Sequence, residues 1–136
     1  YVTLRHFSQP VNVLNTLLAV QPLFGAADWK EAVDDVAHDI LNHFLDKRQD
    51  ILREHVLPGG AFCNTPEGRR LSVLWTLRAT DALLELGHQT GHRKLSLQVL
   101  LWSLRLLEQA WDDRAGGLRP WADHKGQPLP WPEAQH

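Results

Sequence analysis

The chain is poor in several features that would narrow its function at once. A single cysteine, Cys63, excludes an internal disulfide and suits the reducing environment of the cytoplasm, which is the expected location. No apolar run reaches bilayer-spanning length, and the opening residues, YVTLRHF, lack the apolar segment of a secretory signal. Neither sign of charge dominates. The net charge is -2 and the pI about 6.5, so there is no general electrostatic attraction to nucleic acid or to an anionic membrane, and neither is an expected partner. A Gly-rich phosphate-binding loop is also missing.

The chain does have the means to build a core. Its 136 residues are 43% apolar and 22% charged, which describes one soluble globular domain over residues 1–136. The segment Asn64 to Gly87 reads as its organising helix, with Thr65 as N-cap, Pro66 in the first turn and Gly87 as C-cap. At 100° per residue, Arg69, Ser72, Thr76 and Thr80 fall on one narrow polar line. Arg70, Arg78, Asp81 and Glu85 form a second stripe opposite, with apolar flanks between the two. A helix with two apolar flanks is packed on both sides, and its thin polar line suits the inner ring of a helical toroid, facing a central cavity. The alternative is that these hydroxyls bond back to their own helix carbonyls.

A first helix is expected from Ser8 and Pro10 to Val20 or Gln21, before Pro22 and Gly25. Asn12, Asn15, Thr16 and Ala19 share one side of it. A second should run from Asp28 as N-cap to Asp46, with Trp29, Ala32, Val33, Val36, Ala37, Ile40 and Phe44 on a single apolar face. ILREHV, residues 51–56, alternates like a short strand before the turn at Pro58, Gly59 and Gly60; a helical extension through Arg53 competes with it. The last helix is expected from about Gly91 or His92 to Trp111. Beyond it lie a turn at Gly116 and Gly117, a short strand near Leu118 to Ala122, a turn at His124 to Gln127 and a Pro-rich tail. The order inner, outer, inner, outer predicts an all-α fold of paired helices with short β-hairpins in the loops, as part of an α/α toroid or a solenoid. With no starting Met, the chain is expected to be a segment of something larger.

The stretches QPVNVLNTLL, ILNHFLDKRQDILREHV with its GG turn, NTPEGRRLSVLW and WDDRAGGLRPWADHKGQPL together resemble the middle of the N-acylglucosamine 2-epimerase family, which includes cellobiose 2-epimerases and mannose or sulfoquinovose isomerases. The resemblance spans about residues 8–130. It implies an (α/α)6 barrel that moves a proton at carbon 2 of a sugar in a central cavity, with no metal and no cofactor. Its central motif, Asn-Pro-Gly-His-x-x-Glu followed by Trp, is matched at Gly68 and nearly at Trp75, but Arg69 stands in the His position and Ser72 in the Glu position. A guanidinium cannot exchange a proton near neutrality, so the family's base is absent from this helix, and no catalytic residue can be assigned here.

Arg69, flanked by Ser72 and Thr76, could clamp an anionic group on a sugar; Asn12 and Asn15 are candidate partners for sugar hydroxyls, and Trp121, with Trp131, for stacking on a sugar face. Against these stand a solvent-pointing Arg69 and purely structural Asn and Thr. His38, Asp39, Asn42 and His43 have metal-ligand composition, but the two histidines point apart on a helix, so no metal site is expected. A glycoside hydrolase or lyase would need paired carboxylates on the inner lines, which hold none. The competing function is a non-catalytic helical-repeat module that binds another protein, a second copy in a homodimer, or the remainder of a longer chain.

Overall fold

The computed structural model describes residues 3–20, 23, 26–48 and 51–132. Tyr1, Val2, Gln21, Pro22, Gly25 and the last four residues, for which a lead-in, a helix break and a tail were expected, lie outside them. Four helices carry the described chain: α1 (Ser8–Ala19), α2 (Ala26–His43), α3 (Val73–Thr90) and α4 (Arg93–Ala110). Eight short strands accompany them: β1 (Arg5–His6), β2 (Leu45–Asp46), β3 (Ile51–Leu52), β4 (His55–Val56), β5 (Arg70–Ser72), β6 (Trp111–Asp112), β7 (Gly117–Leu118) and β8 (Trp121–Asp123).

The periodicity of α2 places Trp29, Val33, Ala37 and Ile40 on one buried face, as expected for an outer helix. That face meets Val11, Leu14 and Leu18 of α1, and the Trp29 indole N–H donates to the Leu17 carbonyl at 2.7 Å. Helix α3 packs against both α1 and α4. The helices read as inner, α1 and α3, therefore touch each other, and each pairs with one of the helices read as outer. The main core runs through all four, from Phe7 and Phe44 to Leu83, Val99 and Trp102. A smaller core of Ile51, Leu71, Val73, Leu106, Ala110 and Ala122 seals the strand end.

All strand pairs are antiparallel: β1 with β4, β2 with β3, β5 with β8 and β6 with β7. Among the described residues, every strand adjoins the end of the helical layer that carries the N-termini of α1 and α3 and the C-termini of α2 and α4. ILREHV, expected as one strand, is two, broken at Arg53 and Glu54, because β3 pairs with β2 while β4 turns to pair with β1.

The organising helix is displaced from its expected bounds. Thr65 does act as a cap, but of a single turn, in which its hydroxyl accepts the Gly68 N–H and its carbonyl accepts the Arg69 N–H. The chain then extends as β5 to pair with β8, and Ser72 caps the true helix by accepting the Trp75 N–H at 3.2 Å. Strand pairing outweighed the local signal. Gly68 is buried in that turn, where a Cβ would clash with the Cys63 carbonyl oxygen, so the close approach of the two backbones requires glycine. Gly87 does not end α3 either. It lies where α3 and α4 approach closely, with an added Cβ only 2.2 Å from Ser96 Oγ, and the C-cap is Gly91 at φ 68°.

Ser72→Ala should lower unfolding stability by about 1 kcal/mol and Ser72→Gly by only a few tenths, as measured by urea denaturation. No loss in Ser72→Ala would remove Ser72 as the cap of α3.

Candidate functional site

The β1–β4 ladder sets His6 directly opposite His55, with ring centroids 4.7 Å apart. Glu54, next to His55 in sequence, turns inward and is buried. One of its carboxylate oxygens accepts the Ser72 N–H at 3.1 Å, and its backbone carbonyl accepts the Phe7 N–H at 3.0 Å. His6 Nε2 lies 3.8 Å from Oε1 of Glu54, and His55 Nδ1 lies 3.5 Å from Oε2. The Nδ1 of His55 is buried and makes no hydrogen bond among the described residues. On the other side of His6, Nδ1 meets both the Ser8 hydroxyl at 2.6 Å and the Ser8 N–H at 3.0 Å.

These contacts define a compact group of two imidazoles about one buried carboxylate, where α1 and α3 begin. Trp75 closes one side, edge-on to His6 at 5.9 Å between ring centroids, with the Arg78 guanidinium 5.3 Å from its ring centre. Burial holds the His6 imidazole below its ordinary pKa; the Glu54 charge opposes this, and His55 adds a smaller downward push. An imidazole kept neutral next to a second one can accept, hold and return a proton, and the same nitrogens can ligate a cation.

The residues singled out from sequence are not gathered into one site. Ser72 reaches the histidine group only through its backbone N–H. Thr76 and Thr80 are buried, and their hydroxyls donate to the carbonyls of Ser72 and Leu77, which is the back-bonding alternative. Both line a cavity of about 170 Å³ together with Trp102, Arg105 and Lys125 of α4 and the turn after β8. The exposed stripe of α3 is instead Leu74, Arg78, Asp81 and Glu85. Arg69 is exposed, with Nε donating to the Thr65 carbonyl at 3.3 Å. Asn12 and Asn15 are exposed on α1, and Trp121 is half-buried with the Arg70 guanidinium 4.2 Å from its ring. Trp131 donates its indole N–H to Asp112 at 2.6 Å.

His38 and His43 do point apart, to Asn42 and Asp39 respectively. Asp39 also takes a two-pronged contact from Arg5, at 3.0 and 2.7 Å, which anchors β1 to α2 beside His6. Sequence reasoning passed over His6, Glu54 and His55. Their only signal was a histidine just before a helix and a Glu-His pair in a short alternating segment, far apart in the chain until the strands pair.

No family model matches the sequence, and no curated protein does. Among solved structures, the chain is similar to cellobiose 2-epimerase from Spirochaeta thermophila, with TM-score 0.80 and 18% identity over 98% of this chain and 33% of that one. It is also similar to cellobiose 2-epimerase from Bacillus thermoamylovorans, with TM-score 0.78 and 12% identity over 94% of this chain and 32% of the other. The chain thus has a sugar-epimerase-like fold and spans about one third of the length of each. No helix of the described residues is long and apolar enough to cross a membrane.

The Arg5 hydrogen bonds hold the Asp39 carboxyl below its ordinary pKa, with a smaller contribution from His43, against the cost of burial. The folded chain therefore keeps Asp39 charged where the unfolded chain begins to protonate it. This stabilisation is complete above the ordinary carboxylate pKa of about 4 and is lost as pH falls below it. Asp39→Asn should cost up to about 1 kcal/mol at pH 7 and flatten the fall in stability at acid pH. Urea unfolding across that range checks it, and an unchanged acid slope would dismiss Asp39 as a contributor.

Proposed function

We propose that the chain forms one segment of an (α/α)6 barrel of the N-acylglucosamine 2-epimerase kind, and that it takes part in proton transfer at carbon 2 of an aldose or N-acylhexosamine. His6 and His55 carry the proton, and Glu54 supports them. One observation carries the reading: an imidazole pair about a buried carboxylate stands at the start of α3, held by the N–H of Ser72. The epimerase-like fold agrees with it.

In this mechanism one imidazole takes the proton from carbon 2 of the open-chain sugar. The C–H electron pair becomes the C=C bond of an enediolate, and the carbonyl oxygen takes up the negative charge. A protonated imidazole then returns a proton to the opposite face of carbon 2, after rotation of the intermediate about its C2–C3 bond, to give the epimer, or to carbon 1, with the O2 hydroxyl proton passing to O1, to give the ketose. No electrons are gained or lost overall. Glu54, buried beside both rings, stabilises whichever imidazolium forms. Arg69, Asn12 and Asn15 present exposed polar groups for sugar substituents, and Trp121 a ring face, while Ser72 and Thr76 stand behind the surface.

A second reading, the helical interaction module, draws on α4. Leu97, Leu100, Leu101 and Leu104 form an exposed stripe along it, with Leu97 60% and Leu101 53% accessible. An apolar face of that kind calls for a cover. Further helices of a barrel or a second copy of the chain would each supply one.

The decisive experiment is proton NMR of N-acetylmannosamine, mannose and a sulfonated hexose incubated with the protein in heavy water. The carbon 2 proton signal of one of them should disappear, and His6→Ala or His55→Ala should slow the loss by about a hundredfold or more. No exchange with any of them from a folded sample, together with self-association in sedimentation, would replace this reading with the interaction module.

A further inference from the structure

We propose that His6, Glu54 and His55 form a binding site for a first-row divalent transition-metal ion of the zinc type. The inference does not depend on the sugar chemistry above, because it rests on the spacing and chemistry of the donor atoms alone. The ligating atoms of the three side chains all lie within 4.8 Å of one another. The two nitrogen–oxygen separations, 3.8 and 3.5 Å, are too long for hydrogen bonds. Each imidazole faces a different oxygen of the carboxylate, at close to the spacing of neighbouring ligands around one zinc ion, about 3.4 Å for donors about 2.1 Å from the metal. The donors are thus spaced as neighbours around a shared centre rather than as partners of each other.

The donor chemistry agrees with the spacing. Two imidazole nitrogens and one carboxylate make a borderline set suited to zinc, and three protein ligands leave a fourth position open. Glu54 is buried, and its ion-pairing partners among the described residues are the two imidazoles, at distances where neither delivers a hydrogen. A buried carboxylate needs a positive charge or hydrogen bonds, and Ser72 N–H supplies one of the latter. The buried Nδ1 of His55 has no hydrogen-bond partner among the described residues, as a nitrogen waiting for a ligand would be.

Supporting contacts complete the site. On its far side the Nδ1 of His6 accepts the Ser8 N–H at 3.0 Å and meets the Ser8 hydroxyl at 2.6 Å, contacts that orient the ring with Nε2 toward Glu54. The β1–β4 ladder and the Phe7 N–H bond to the Glu54 carbonyl fix the three ligands relative to one another. A ring that holds a cation cannot carry a proton with the same nitrogen, so an occupied site would shut down the proton transfer proposed above. The metal would act there as an inhibitor.

The test is titration of the tag-free, chelator-stripped protein with cobalt(II), read by visible d–d absorption, followed by displacement with zinc. One equivalent should bind with the intense bands of four-coordinate cobalt, and zinc should abolish them. Glu54→Gln, which keeps an acceptor for the Ser72 N–H, and His55→Ala should each weaken binding about a hundredfold or more, and Ser8→Ala by about tenfold. His38→Ala, remote from the cluster, should leave the affinity unchanged. Circular dichroism identifies folded variants, and Glu54→Gln alone decides the question if His55→Ala does not fold. Absence of the bands in the unsubstituted protein, or an affinity indifferent to Glu54→Gln, overturns the site. Because no sugar is present, a negative result leaves the proton-exchange reading standing, and a failure of proton exchange leaves the metal site standing.

Discussion

The buried carboxylate of Glu54 is the constraint on which the strand end of this molecule depends. Its side chain accepts the N–H of Ser72, the cap of α3, and its carbonyl accepts the N–H of Phe7, the residue before α1. One residue thereby joins the starts of both inner helices. A carboxylate taken out of water must be compensated where it lies, so the groups around it are held tightly or the fold loses stability. That requirement brings His6 and His55 to the same point, and the structural requirement and the chemical possibility share one cause.

Away from that end, α3 sets the spacing of the helices. Ala79, Ala82 and Gly87 are small and buried, and Gly87 meets Ser96 so closely that α4 lies almost against the α3 backbone. Close approach leaves no room for a solvated polar line. Ser72, Thr76 and Thr80 turn inward and satisfy their hydroxyls within the helix, while Leu74, Arg78, Asp81 and Glu85 take the open side. Thr76 and Thr80, expected to look into a cavity, line only the small one against α4 and are otherwise buried, and the stripe expected to lie opposite is the exposed one. Both stripes had the right period, and a helical wheel cannot tell which of two polar lines faces a neighbour.

The two epimerase structures share the path of this chain at low identity, which bounds what likeness conveys. A shared path survives at that identity because packing tolerates many side chains with the same pattern. The ionisable groups of a site follow no such rule. The histidine and carboxylate cluster of this chain is built from β1, β4 and the residue before β4, with no local motif to announce it.

Helix existence, the apolar face of α2 and the turns at Gly116 and Gly126 were legible in the residues, because each follows from a period or a backbone preference that acts over a few positions. The separation of His38 from His43 was legible for the same reason. The start of α3 was not: Thr65 offers a sound local cap, and only the pairing of Arg70–Ser72 with β8 moves the helix onto Ser72. Nor was the cluster of His6, Glu54 and His55 legible. Its members meet through a two-residue ladder between distant segments and one bond from a carboxylate to a helix cap, and such long-range register is settled by the packing of the whole chain.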